Sequence, residues 1–126
     1  MIGSLIYLVT CTRPDLAFSV SYLSRFSSHP IERHHTAVKR VFRYLAGTRS
    51  MSLKYRCSPT SVPLFIVAFS DSDYASCHDT RRSVSGYAFM FNGCAISWLS
   101  KKQQSVASST TEPEYVALAT TSRQAV

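Results

Sequence analysis

The feature that most constrains the fold is an apolar run that ends in two carboxylates. Residues 64–69 are six consecutive apolar residues, rich in aromatic and β-branched types. Such a run predicts a strand buried on both faces. Asp71 and Asp73 follow it, and the two-residue period of a strand places them on one face if the strand continues that far. These carboxylates indicate either a divalent metal site or a solvated turn that closes the strand.

The length and composition limit the number of domains and the class of binding partner. A chain of 126 residues fits one domain, or one small domain plus a piece of another. Its 14 Lys and Arg against 7 Asp and Glu give a net charge of +7. This charge favours a nucleic acid as partner before an acidic membrane surface, with a role in solubility alone as the alternative. No apolar run approaches the roughly 20 residues that span a bilayer, so no membrane partner is expected.

The cysteines and histidines do not form a metal pattern. Neither a zinc site nor a disulfide framework is indicated by the spacing of Cys11, Cys57, Cys77 and Cys94. Scattered buried thiols of this kind indicate a reducing compartment, hence an intracellular location in cytoplasm or nucleus. Without cysteine or carboxylate partners at ligand spacing, the pair His34-His35 is interpreted as solvated or phosphate-facing.

The first half of the chain is predicted to be helical. Apolar side chains recur at helical spacing in residues 2–9, 14–27 and 31–46, with Leu16, Val20 and Leu23 on one stripe. The third helix is predicted to turn Ala37, Val41, Tyr44 and Leu45 inward. Its other face carries Arg33, Lys39, Arg40 and Arg43, which are either solvated or bind phosphate. A short strand is predicted over residues 52–56.

The second half is predicted to be a meander followed by a helix. Residues 84–91 and 94–99 are strand-like, and Asn92-Gly93 between them is a strong hairpin signal. Thr111 and Glu114 have the spacing of a capping box, with Pro113 in the first turn of the helix. Glu114 therefore either caps this helix or faces the carboxylates after the first strand. The predicted organisation is a helical segment over 1–57, a linker over 58–63 and a second domain over 64–126.

Several separate motifs resemble one family, in the order in which that family has them. Residues 2–8, 12–17 and 39–48 resemble the segment that joins reverse transcriptase to ribonuclease H in copia-type retrotransposon Pol polyproteins. The opening half of that ribonuclease H is similar to residues 83–87, residues 96–103, Ser70-Asp71-Ser72-Asp73-Tyr74-Ala75 and Ser109-Thr110-Thr111-Glu112-Pro113-Glu114-Tyr115. The likeness covers essentially the whole chain.

The resemblance implies a fold and an activity. It implies an α+β chain in which a helical segment precedes an incomplete ribonuclease H-like fold, a three-stranded antiparallel meander plus a helix. Family members cleave the RNA strand of RNA–DNA hybrids with two Mg²⁺ ions held by four acidic residues. Asp71 and Glu114 match two of these metal ligands and catalytic residues, and Asp73 and Glu112 are then bystanders, with a shift of two positions as the alternative. Hybrid or other nucleic acid is expected to contact Arg40, Arg43, Arg81, Arg82, Lys101 and Lys102.

The chain also departs from the family. Tyr74 replaces a usual Trp, and Pro113 replaces a small helix former. The family's fourth strand with its aspartate, and its late acidic residue, have no counterpart. A truncated fragment is thus expected to bind Mg²⁺ weakly, to be inactive alone, and to expose a sheet edge and an apolar face. Its further partner is expected to be the missing part of the polyprotein or a host protein.

Two other functions remain open. One is a small basic nucleic-acid-binding or decoy protein. The other is a secreted effector translocated into a host plant cell, because some retroelement-like chains of plant-infecting oomycetes are catalogued as effectors with degenerate Arg-x-Leu-x motifs. Arg43-Tyr44-Leu45-Ala46 is only a weak likeness of such a motif, and the amphipathic helix already accounts for it.

Overall fold

The protein has a helical part and a part built on a sheet. The computed structural model describes residues 1–55, 65–77 and 79–126, which form two compact units, Met1–Leu53 and Lys54–Val126. The α+β class with an N-terminal helical part and a following meander is confirmed. The predicted linker, 58–63, lies outside the described residues. In the described ranges, no helix is both long and apolar enough for a membrane span.

The first unit is a small helical core. Its elements are α1 (Ile2–Cys11), a 3₁₀ turn (Pro14–Leu16), α2 (Ala17–Ser24) and α3 (Glu32–Gly47). The predicted stripe is confirmed, because the buried core consists of Leu5, Leu16, Val20, Leu23, Val38 and Val41. Tyr44, predicted to point inward, is 44% exposed, and Val38 fills the core instead. The predicted strand over 52–56 is absent from residues 52–55.

A buried arginine ties the start of α2 to the end of α3. The guanidinium of Arg13 donates to both carboxylate oxygens of Asp15, Nε to Oδ1 at 3.0 Å and Nη2 to Oδ2 at 2.7 Å. Nη2 also donates to Oγ1 of Thr48 at 2.7 Å, and the guanidinium lies 5.6 Å from the ring centre of Tyr44. Hydrogen bonds from Arg13 lower the pKa of Asp15. The bidentate pair with Asp15 orients the guanidinium, and its hydrogen bond to Thr48 joins segments 35 residues apart in the chain.

The second unit is the predicted antiparallel meander. Strands β1 (Ile66–Ser72), β2 (Val84–Phe91) and β3 (Cys94–Lys102) lie in the order β1-β2-β3. Asn92 and Gly93 form the β2–β3 turn with φ of 51° and 77°, as a two-residue hairpin with both central residues left-handed requires. The predicted hairpin is therefore confirmed, and β3 continues three residues further than predicted.

One helix, α4 (Thr111–Ala125), packs on β1 and β2. Ala117 and Thr121 are buried, and Oγ1 of Thr121 donates to Oγ of Ser70 at 2.9 Å. Pro113 is fully buried in the first turn of the helix, where its missing N–H needs no partner. The helix thus covers one face of the sheet.

The first strand is exposed, which corrects the prediction of burial on both faces. Phe65, Ile66 and Phe69 are 63%, 58% and 61% exposed. Within the described part of the chain, β1 pairs only with β2 and is an edge strand. A run of this composition needs strands on both sides and cover on both faces, and the described residues supply these on one side only. The expected exposure of a sheet edge and of apolar side chains is observed in the described residues.

Candidate functional site

Of the four acids in the two motifs, Asp71, Asp73, Glu112 and Glu114, the first and the last have no partner in the described part of the chain. Asp71, the next-to-last residue of β1, pairs across the sheet with Gly86, and its side chain is exposed. Glu114 is exposed in the first turn of α4. Among the described residues, neither carboxylate has a hydrogen bond or an ion pair. Both are therefore available to an external cation or ligand.

The other two acids have structural roles. Oδ1 of Asp73 accepts the backbone N–H of Val84, and the N–H of Asp73 donates to the carbonyl oxygen of Val84 at 3.1 Å. Oε2 of Glu112 accepts the backbone N–H of Ser108 at 2.7 Å. These bonds close the loops that follow β1 and precede α4. They account for Asp73 and Glu112 without a metal.

The predicted capping box is not formed. Helix α4 begins at Thr111, so Thr110 is the residue that precedes the first turn, and no side chain caps it. The carboxylate of Glu114 therefore accepts no backbone N–H at the start of the helix. The prediction was wrong because the helix begins one residue earlier than the pattern requires, which places Pro113 instead of Glu114 three residues after the N-cap. Glu112 instead accepts a loop N–H.

The backbone determines the side of the sheet from which each free carboxylate extends. Ser70 contacts α4 through Thr121, so the alternation of a strand places Asp71 on the opposite face of the sheet. Glu114 starts from α4 itself. Among the described residues, no three His, Cys, Asp or Glu side chains are grouped so that they could hold a metal ion. The assignment of Mg²⁺ to Asp71 and Glu114 stays a prediction.

A buried amide holds the start of α4 in place. Nε2 of Gln103 donates to Oγ of Ser85 at 2.7 Å and to the carbonyl oxygen of Pro113 at 3.0 Å. Gln103 is 6% exposed, and it joins β2 to the turn that carries Glu114. The sequence pattern gave Gln103 no structural role. The sequence gives no signal for this role, because Gln103 contacts α4 only when the chain is folded.

The predicted nucleic-acid-binding side chains are accessible to different degrees. Arg40 and Arg43 are exposed on α3 in the first unit. In the second unit Arg81 and Lys101 are exposed, and Arg82 and Lys102 are half-buried. Across the described ranges, the pair Arg13–Asp15 is the only salt bridge, so these six cations are not neutralised by a neighbouring carboxylate there.

The histidine pair has a local structural role. The ring of His34 stacks on Phe26 with ring centres 4.0 Å apart. Its Nδ1 accepts the backbone N–H of Ile31 at 3.2 Å, at the start of α3. His35 is exposed. His34 therefore stabilises the entry to α3.

Comparison with known proteins finds relatives over nearly the whole chain. The chain is 46% identical over 125 residues to "Secreted RxLR effector protein 161" of Plasmopara viticola, and it spans 86% of that protein. It is 45% identical over 125 residues to the "Retrovirus-related Pol polyprotein from transposon TNT 1-94" of Nicotiana tabacum. It is also 42% identical over 124 residues to the Pol polyprotein from transposon RE1 of Arabidopsis thaliana.

The coverage of these relatives is uneven. The alignments include 99% of this chain for the first two and 98% for the third. The chain spans only 9% and 8% of the two Pol polyproteins. No family model matches the chain, and no solved structure matches it.

Proposed function

The chain belongs to the copia-type retrotransposon Pol polyprotein family, and on that premise we propose that its second unit is the opening part of a ribonuclease H-like domain. The parent activity is Mg²⁺-dependent cleavage of the RNA strand of RNA–DNA hybrids. In this proposal Asp71 and Glu114 supply two of the four metal ligands and catalytic residues. Because the two side chains extend from opposite faces of the sheet, the shared site has to lie at the end of β1, where Asp71 is the next-to-last residue of the strand. The 126 residues alone do not cleave, because two carboxylates cannot hold both metal ions in catalytic geometry.

One observation carries this proposal. Of the four acids in the two motifs, Asp73 and Glu112 are engaged by backbone N–H groups, whereas Asp71 and Glu114 are exposed and without partners in the described part of the chain. An exposed carboxylate without a protein partner is solvated and accessible, so Asp71 and Glu114 are the two acids of the motifs that a metal ion can reach without breaking a described contact.

A complementation assay tests the proposal. The chain is incubated with Mg²⁺ and a labelled RNA–DNA hybrid, alone and with a polypeptide from a copia-type relative that carries the fourth strand and the late acidic residue. We expect no cleavage by the chain alone and cleavage by the mixture. Asp71→Asn and Glu114→Gln are expected to reduce the cleavage rate of the mixture by about 100-fold or more, since each removes a metal ligand.

A matched control and two contrary outcomes make this assay decisive. Asp79→Asn removes one exposed carboxylate of the same unit and is expected to leave the rate unchanged. Cleavage by the chain alone that Asp71→Asn abolishes would contradict the proposed inactivity. A mixture whose two polypeptides bind one another but do not cleave would contradict the nuclease ancestry.

The exposed cations support a second candidate, binding of nucleic acid by the chain itself. Arg40 and Arg43 lie on α3, exposed and without carboxylate partners in the described residues. Phosphate contacts release counterions, so affinity for the hybrid should fall steeply between 50 and 200 mM salt. The double variant R40Q/R43Q should lower the slope of log affinity against log salt by up to about 2. Fluorescence anisotropy measures both, with R49Q/K54Q as the control of equal charge.

One relative supports a third candidate, a secreted effector. That relative is named a secreted RxLR effector, and this chain is 46% identical to it. Arg43-Tyr44-Leu45-Ala46 lies inside α3, where Leu45 packs against the helical core, so the helix accounts for these residues. Recovery of the chain from culture supernatant with its N-terminus removed would support this candidate. Retention inside the producing cell would instead support the intracellular location proposed with the nuclease ancestry.

A further inference from the structure

A cationic cavity lies in the second unit, away from Asp71. It has a volume of about 570 Å³ and is lined by residues at the end of β3, in the segment that follows, and in the C-terminal half of α4. Its charged lining residues are Lys101, Lys102 and Arg123. The described residues that line it include no Asp or Glu, and the rest of the wall is uncharged, with Gln104, Ser105, Thr120 and Gln124 among its polar groups.

The cations are not neutralised within the described part of the unit. Nε of Arg123 donates to the carbonyl oxygen of Ala119 at 3.3 Å, which leaves its terminal nitrogens without a partner there. Lys101 is exposed and pairs across the sheet with Ser85. Because the hydroxyl of Ser85 contacts Gln103, which also contacts Pro113 of α4, Lys101 lies on the face of the sheet that α4 covers. Lys101 and Arg123 therefore enter the cavity from facing elements.

We propose that this cavity binds the phosphate group of a nucleotide-sized ligand. Lys101 and Arg123 contact the phosphate, for which a guanidinium and an ammonium are the preferred partners in proteins. The hydroxyl and amide groups of Ser105, Thr120 and Gln124 contact the sugar or base. The volume lies within the range of about 300–1,000 Å³ of small-molecule sites. The proposal does not depend on the nuclease ancestry, because none of these residues is an expected metal ligand.

The same phosphate chemistry has two possible sources, a free nucleotide and the backbone of a nucleic-acid strand. Backbone amide shifts of the ¹⁵N-labelled full chain are followed by NMR during titration with inorganic phosphate, adenosine 5′-monophosphate or a short single-stranded RNA. We expect the shifts to concentrate in residues 99–105 and 116–124 with each probe. Tighter binding of the monophosphate indicates a nucleotide site, and tighter binding of the RNA indicates a backbone site.

Charge variants test the assignment. K101Q/R123Q should weaken binding of the tighter probe by at least about tenfold, since each lost charged hydrogen bond contributes about that factor. The single variant Lys101→Arg should bind as tightly as the unchanged chain. R49Q/K54Q removes two exposed cations elsewhere and should have no effect. Both altered cavity residues are exposed, and the dispersion of the NMR spectrum checks that each variant is folded.

Two results would overturn the proposal. The first is an absence of shifts in residues 99–105 and 116–124 with all three probes. The second is binding by K101Q/R123Q that equals that of R49Q/K54Q. Either result would show that the cavity does not bind phosphate, whatever the outcome of the cleavage assay.

Discussion

The carboxylate of Asp73 accepts the backbone N–H of Val84, while the N–H of Asp73 donates to the carbonyl oxygen of the same residue. This reciprocal pair joins the residue after β1 to the first residue of β2. It also distinguishes two aspartates that stand two positions apart in the chain. Asp73 has a structural partner, and Asp71 has none among the described residues.

The first prediction follows from this difference. Asp73→Ala leaves the buried N–H of Val84 without an acceptor and should lower the free energy of unfolding by about 1–3 kcal/mol. Asp71→Ala removes no described contact and should change it by less than about 0.5 kcal/mol. Urea denaturation of both variants measures this difference. Equal losses would show that Asp71 also has a structural partner.

The second prediction concerns the β2–β3 turn. Gly93 has a φ of +77°, a conformation that a β-carbon strains, so Gly93→Ala should destabilise the protein by about 1 kcal/mol. Gly47→Ala is the matched control, because a β-carbon there meets nothing within 4 Å and the residue lies in the last turn of α3. It should leave stability unchanged or raise it by up to about 1 kcal/mol. Thermal or urea unfolding ranks the two variants, and the reverse order would contradict the turn geometry.

The third prediction is a pH dependence that originates at Asp15. Its pKa is lowered in the folded state by the hydrogen bonds from Arg13, so the pair contributes stability above the unfolded value near 3.8. That contribution is lost as the pH falls from about 3.8 through the lower folded pKa. Asp15→Asn should therefore have a lower free energy of unfolding than the unchanged protein at pH 7. The difference between the two free energies should become smaller below pH 3.8.

The measurement for Asp15 is a series of urea denaturations from pH 7 to pH 2.5. Glu32→Gln, a change of an exposed carboxylate in the same unit, is the control and should show no gap of this kind. A gap between Asp15→Asn and the unchanged protein that stays constant over the whole range would refute the pairing as its source.

The fourth prediction concerns the exposed strand. An edge strand with exposed apolar side chains is a template for association with other chains. Phe69→Lys places a charge on β1 and should reduce light scattering of concentrated protein several-fold. Phe18→Lys changes a side chain of similar exposure on a helix of the first unit, 55% against 61%, and should have a smaller effect. Equal effects would assign the association to net charge alone.

Local patterns in the sequence were sufficient for much of the fold. The stripe of Leu16, Val20 and Leu23 is buried, and Asn92-Gly93 turns one strand into the next. Both depend on neighbours within a few residues, because helical periodicity and turn conformation are properties of short segments. The motif resemblance likewise identified the family, since it rests on residue identities alone.

What the sequence could not determine were relationships between distant segments. Several of these relationships depend on elements that meet only when the chain is folded. They are the hydrogen bonds of Asp73 and Glu112, the contact of the Gln103 amide with α4, and the position of Lys101 and Arg123 around one cavity. The apolar run 64–69 shows the same limit: its composition determined that β1 is a strand, but burial depends on the elements that pack around it. Side-chain chemistry determined which residues are able to bind metal or phosphate, and tertiary packing decided which of them are left free to do so.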